Sequence, residues 1–206
     1  MPLKKIAVLV SGGGSNLQSL IDHVHGISGH IQLVISDKAG AYALTRAERA
    51  GIPTAIFDYK TYKDKALFFQ DIFNRLEEEK VEGIVMGGFL KILPSYFAEK
   101  YPNKIINIHP SLIPAFCGKG YYGLKVHQAV IAYGVKVTGA TVHFADHKAD
   151  TGPIIIQRTV PVFPEDTAEV LQKRVLEIEH QILPEAVAMF CLDKLEVNGR
   201  IIKIKE

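Results

Sequence analysis

A five-residue apolar run, Ile6-Ala-Val-Leu-Val10, stops abruptly at Ser11-Gly12-Gly13-Gly14. Such a run has no polar side to offer water, so it suits a strand covered on both faces. Strands of that kind belong to parallel sheets with helices packed above and below. The period then changes. Leu17, Leu20, Ile21 and Val24 recur at helical spacing between Asn16 and Val24. The alternation repeats, predicting strands at Ile31 to Ile35, Pro53 to Phe57, Gly83 to Met86 and Lys104 to Ile108. Helices are predicted at Ala43 to Ala50 and Asp64 to Glu79.

The second half reads differently. Leu124 to Tyr133 is helical in period. Gly139 to Phe144 and Ile154 to Val162 read as strands joined through a short polar turn, an antiparallel extension. A long helix is expected from Thr167 to Met189, with Asp166 or Thr167 as N-cap and Pro184 kinking or dividing it. Val197-Asn-Gly-Arg200 signals a hairpin with Asn-Gly as a type I′ turn. The expected fold is therefore single-domain α/β, a Rossmann-like, doubly wound, mostly parallel sheet. It carries a C-terminal antiparallel extension and a long C-terminal helix. With 206 residues, 48% of them hydrophobic, the chain can bury a sizeable core as one domain over 1–206.

Charge and cysteine content narrow the function. Twenty-four basic against 22 acidic side chains leave +2, which argues against nucleic acid as the main ligand. Cys117 and Cys191 are the only cysteines, with no CxxC, so a thiolate zinc site and a disulfide framework are both disfavoured. A cytoplasmic setting is expected. The N-terminal apolar run is too short for a signal segment or a membrane span, and no later run is long enough either, so no membrane partner is expected.

Two stretches carry chemistry. The turn Ser11-Gly-Gly-Gly-Ser-Asn16 joins a buried strand to a helix, where N–H groups and the helix N-terminus favour an anion such as phosphate. Leu17 stands where the dinucleotide fingerprint needs its third glycine, so Asp37 after the second strand completes that fingerprint only partly. No Walker A lysine follows. In Ile105-Ile-Asn-Ile-His-Pro110, strand alternation projects Asn107 and His109 to one side. Two polar groups converging there can stabilise an oxyanion and manage protons, or can simply shape the turn before Pro110. A carboxylate at Asp150 near His109 would orient the ring and favour its protonated form; by itself, Asp150 before Gly152 equally reads as an Asx turn. His143 and His147 are four apart but fall on a strand end and a turn, so no metal site is expected.

Several motifs recur in one order in a known family: Ser11-Gly-Gly-Gly-Ser-Asn16, Gly88-Phe-Leu-Lys-Ile-Leu93, Asn107-Ile-His-Pro-Ser-Leu-Ile-Pro114, Thr138-Gly-Ala-Thr-Val-His143 and Asp150-Thr-Gly-Pro-Ile-Ile-Ile-Gln157. With them the chain resembles the folate-dependent formyltransferases over nearly its whole length. Glu179-His180 and the Gly-Ser-Asn turn point to the branch that formylates glycinamide ribonucleotide in purine synthesis. The resemblance implies a catalytic set of Asn107, His109 and Asp150. It implies that Gly14, Ser15, Asn16, Leu17 and Gln18 hold the ribonucleotide phosphate, with Glu179 on the glycinamide portion. It also implies that Leu90, Lys91, Ile92, Leu93 and Asp146, His147, Lys148, Ala149, Asp150 line a pterin cleft for 10-formyltetrahydrofolate, with Lys65 towards that donor's acidic tail. Neither ATP nor metal is implied.

Three positions depart from the family pattern. Lys91 replaces a common arginine, the loop Phe116 to Gly123 is longer than in the shortest relatives, and His147-Lys148 replaces a more acidic turn. Formyltransferases acting on initiator tRNA or sugar nucleotides share Asn-x-His-Pro but usually carry further domains. A formyltetrahydrofolate hydrolase normally adds an N-terminal module, and here the glycine turn begins at residue 11. A non-catalytic phosphate-ligand-binding domain would keep the glycine turn without needing Asn107, His109 and Asp150 together.

Overall fold

The first apolar run, with Lys4 and Lys5 before it, forms strand β1 (Lys4–Val10) in the computed structural model, which describes residues 2–205. Its side chains feed two separate cores. Ile6, Val8 and Val10 enter one; Ala7 and Leu9 enter the other. That double coverage is what an unbroken apolar run requires. Strands β2 (Gly29–Ser36), β3 (Thr54–Ile56), β4 (Gly83–Met86) and β5 (Ile105–His109) lie parallel to it. Strands β6 (Val137–Phe144) and β7 (Ile154–Pro161) add antiparallel partners beyond β5, as the sequence suggests. The seven-stranded order is β3-β2-β1-β4-β5-β6-β7. The chain reverses direction across the sheet between β1 and β4, which opens a crevice at the strands' carboxyl ends.

Helices α1 (Ser15–His23), α2 (Tyr42–Arg49), α3 (Lys65–Glu78), α4 (Ser95–Lys100), α5 (Leu124–Tyr133) and α6 (Ala168–Cys191) divide between the faces. Leu17 and Leu20 of α1, Ala43 and Ala47 of α2, Val126 of α5 and Leu183 of α6 share a core with Val8 and Ile106. Phe68 and Ile72 of α3 and Phe97 of α4 pack with Leu9 and Ile84 on the other face.

Three details differ from expectation. Helix α4 was not foreseen; six residues are too few to display a helical period. Pro184 does not divide α6, which stays helical from Ala168 to Cys191, with Thr167 Oγ1 capping through Val170 N–H. Ile182, Leu183, Pro184, Ala186 and Val187 are all buried, and that packing offsets the single N–H that proline removes. In the terminal hairpin, β8 (Leu195–Asn198) pairs with β9 (Ile201–Ile204) through Asn198↔Ile201. The two-residue turn is therefore Gly199-Arg200, and only Gly199 has positive φ (60°). That is the II′ pattern rather than I′.

Candidate functional site

The glycine turn leaves β1 and enters α1 at Gly14, whose φ is 71°. A Cβ there would lie 2.5 Å from Ala43 Cβ, so both the backbone conformation and the approach of α2 demand glycine. The first-turn N–H groups of α1 lack intrahelical acceptors and remain available to a ligand. Ser15 and Asn16 line a cleft of about 620 Å³ that opens from this point. The rest of the expected phosphate set points elsewhere. Leu17 is fully buried in the core. Gln18 donates to Asp22 Oδ1 and accepts from Arg46 Nη1, while Arg46 Nε donates to the Gly13 carbonyl. Arg46 is thus a cation braced against the glycine turn that sequence reasoning passed over.

Strand β5 delivers Asn107 and His109 to the cleft on the face opposite Ile106 and Ile108. Asp150 reaches them from the turn between β6 and β7, with its backbone in the left-handed region (φ 58°). Asp150 Oδ2 accepts the Gly118 N–H at 2.8 Å and lies 3.6 Å from His109 Nδ1. Its Oδ1 accepts from Asn107 Nδ2 at 3.4 Å and lies 3.5 Å from His143 Nε2. The three residues predicted to act together are therefore together. Gly152 seats their turn: an added Cβ would fall 1.8 Å from the Phe144 carbonyl oxygen. That same oxygen accepts His143 Nδ1–H at 2.8 Å.

Electrostatics refine the expected roles. Burial raises the Asp150 pKa, yet the His143 contact, the nearby His109 and the Gly118 N–H outweigh it and hold the carboxyl below its ordinary range. His109, 5% exposed, goes the other way from expectation. Burial lowers its pKa by more than Asp150 and the Phe116 carbonyl raise it, so the free protein favours the neutral ring. His109 Nε2–H donates to Phe116 O at 2.9 Å, which leaves Nδ1 on the Asp150 side.

The opposite wall comes from α6. Glu179, 8% exposed, accepts one hydrogen bond from Asn16 Nδ2 at 2.8 Å. Burial pushes its carboxyl up to about 7. Of the residues expected to form a donor wall, Leu90, Lys91, Ile92, Leu93, Asp146, Lys148 and Ala149 line the cleft. His147 does not line it and is exposed on the turn. Lys65 does not line it either. Its ammonium donates to the carbonyls of Tyr59 and Tyr62, both at 2.6 Å.

Sequence reasoning weighed His143 only as half of a metal pair. The structure makes it part of the polar cluster, with Nε2 3.1 Å from Asn107 Nδ2. The pairing of β5 with β6 sets Asn107 opposite His143, and the foreseen antiparallel extension was the signal for it. The Phe116 carbonyl and Gly118 N–H were also missed, being backbone groups without a side-chain signature. Among the described residues, no group of three or more His, Cys, Asp or Glu is arranged to hold a metal ion. Among them, no helix is long and apolar enough to cross a membrane.

Known proteins resemble this chain along most of its length. The family model described as "Formyl transferase" matches residues 4–187. The phosphoribosylglycinamide formyltransferase of Haemophilus influenzae is 41% identical over 97% of this chain and 92% of its own length. The trifunctional purine biosynthetic protein adenosine-3 of Bos taurus is 44% identical over 98% of this chain, which spans 20% of that relative's length. A crystal structure of glycinamide ribonucleotide transformylase 1 from Symbiobacterium toebii superposes with a TM-score of 0.92 at 39% identity, covering 99% of this chain and 95% of that one. With its glycine turn, its Asn-x-His-Pro strand and its returning aspartate all inside the matched span, this chain belongs to the formyl transferase family.

Proposed function

We propose that the chain, acting as one cytoplasmic formyltransferase domain, transfers the formyl group of 10-formyltetrahydrofolate to the primary amine of glycinamide ribonucleotide. The observation that carries this reading is the meeting of Asn107, His109 and Asp150 across one cleft from a buried Glu179, with the glycine turn at its end. The cleft volume, about 620 Å³, suits small-molecule substrates. Leu90, Ile92 and Leu93 give the donor's flat ring an apolar wall, and the α1 N-terminus gives the phosphate its donors.

The amine attacks the formyl carbon directly. A C–N bond forms to the ribonucleotide, the bond to the folate nitrogen breaks, and that nitrogen takes the proton the amine loses. Negative charge gathers on the formyl oxygen during attack, where the Asn107 amide N–H and protonated His109 stabilise it. Burial keeps His109 neutral beforehand; the developing anion raises its proton affinity in the same direction as Asp150 already does, so the ring takes a proton from water and returns it when the folate nitrogen leaves. Asp150 therefore orients the ring and stabilises the imidazolium as it forms. Glu179 faces the amine portion, and an ammonium or amine beside it would draw its carboxyl back toward the charged form.

The deciding experiment mixes purified protein, glycinamide ribonucleotide and 10-formyltetrahydrofolate and follows deformylated folate. Release dependent on the ribonucleotide supports the reading. Equal release without it would replace transfer by hydrolysis. Ligand binding that survives alanine at 107, 109 and 150, with no turnover in any form, would leave only a binding domain.

A further inference from the structure

We infer that Asp37 is a positioning residue for the donor wall: its buried carboxylate, acting through Lys91, holds the Gly88–Leu93 segment against the sheet. This rests on the reading of that segment as the folate wall.

The segment between β4 and α4 has no helix or strand of its own. Leu90 and Ile92 are 52% and 59% exposed, so the packing of Phe89 and Leu93 on the core leaves the stretch between them to be held by other means. Two polar ties supply that hold. Leu90 N–H donates to Ser11 Oγ at 3.0 Å, joining the wall to the glycine turn. Lys91 Nζ lies 3.4 Å from Asp37 Oδ2, joining it to the end of β2.

Asp37 is an uncommon residue for its place. It is 1% exposed, and among the described residues neither carboxylate oxygen accepts a hydrogen bond. A carboxylate so enclosed is costly without a counter-charge, and Lys91 is the cation within ion-pair reach. The lysine is held in turn. Its ammonium lies 4.3 Å from the centroid of the Tyr59 ring, and Tyr59 N–H donates to the Asp37 carbonyl at 3.1 Å. Lys65 closes the brace, with its ammonium 4.2 Å from the same ring. The end of β2, Tyr59 and the donor wall therefore form one closed circuit. Asp37 itself does not line the cleft, while residues on both sides of Lys91 do. Its influence must reach the folate through Lys91, and it should leave the ribonucleotide end largely alone.

The test compares wild type with Asp37→Asn, Lys91→Met, Lys91→Arg and the double variant Asp37→Asn/Lys91→Met. Fluorescence titration with 5-formyltetrahydrofolate, a non-transferable folate, gives the donor-side Kd. Steady-state assays give KM for each substrate and kcat. Asp37→Asn is expected to raise the folate Kd and donor KM about tenfold. The ribonucleotide KM should stay within about twofold. Lys91→Arg should lose less than Lys91→Met, and the double variant should be no worse than the weaker single. If Asp37→Asn does not fold, Lys91→Met, at a partly exposed side chain, carries the same expectation. An unchanged folate Kd overturns the inference, as does a parallel rise in both KM values. Wild type that binds the folate without formylating the ribonucleotide overturns the proposed reaction while the Kd comparison still decides Asp37. Wild type that binds no folate overturns both.

Discussion

Asp150 and Glu179 line the same cleft, yet their carboxyls sit on opposite sides of their ordinary pKa values. Burial raises both. Around Asp150, an amide side chain, a backbone N–H and two imidazoles answer for the lost water, and the anion wins. Around Glu179, one amide donor is set against a deeper burial, and the neutral acid gains ground. The contrast shows that depth of burial and the number of donors together decide which wall of this cleft is negative. Under the proposed reaction it would also separate roles: a permanent anion to orient an imidazole, and an acid near neutrality to respond to an arriving amine.

The hardest blow to that contrast is Asp150→Asn. It keeps the shape and removes the charge, so kcat/KM for formyl transfer should fall by about a hundredfold or more. The His109 pKa, followed by its NMR titration, should drop further below 6.5 because a raising influence is gone. Retained activity would mean the anion is ornamental.

Next comes the pH dependence of stability. Glu179 shifts from 4.5 to about 7 in the folded protein. A raised carboxyl pKa means that the folded chain holds its proton longer than the unfolded one. Stability from this group is therefore fullest below 4.5 and is lost as pH rises toward about 7. The whole shift corresponds to about 3 kcal/mol. Glu179→Gln should flatten this slope and leave the variant more stable than wild type at pH 8, measured by urea unfolding at pH 5 and pH 8. Equal slopes would remove the contrast with Asp150.

Asn16→Ala takes away the one donor on Glu179. It should cost about 1–3 kcal/mol in the same unfolding assay and carry the Glu179 window to higher pH. The mildest probe is Gly118→Ala. Its φ is 84° and an added Cβ would meet open space, so only backbone strain of about 1–2 kcal/mol acts. Drawing its N–H off Asp150 should lower kcat/KM by about threefold to tenfold, within the range that strain can transmit.

Much of this was readable in the chain because burial writes itself into residue order. Ile6 to Val10 announced a doubly covered strand and Gly83 to Met86 a strand, and alternation alone put Asn107 and His109 on one side. Asp150 was legible only through family resemblance, since a carboxylate in a turn before glycine has a plainer explanation. What stayed hidden depends on three-dimensional balance. The neutral state of His109 follows from how deeply it lies. The Phe116 carbonyl and Gly118 N–H contribute through backbone direction, which their side chains do not encode. Lys65 carried the right charge for an acidic tail but spends its donors on two loop carbonyls.

The seat beneath Gly152 has a last consequence. Any side chain at that position would collide with a main-chain oxygen, so the position has no freedom to drift, while the nearby His147 and Lys148 are exposed, the first outside the cleft and the second at its edge, and have a great deal. The turn is anchored at one end and free along its outer arc. Descendants of this chain can therefore rewrite the charge of that arc, and with it the field at the cleft mouth, while the aspartate stays in place.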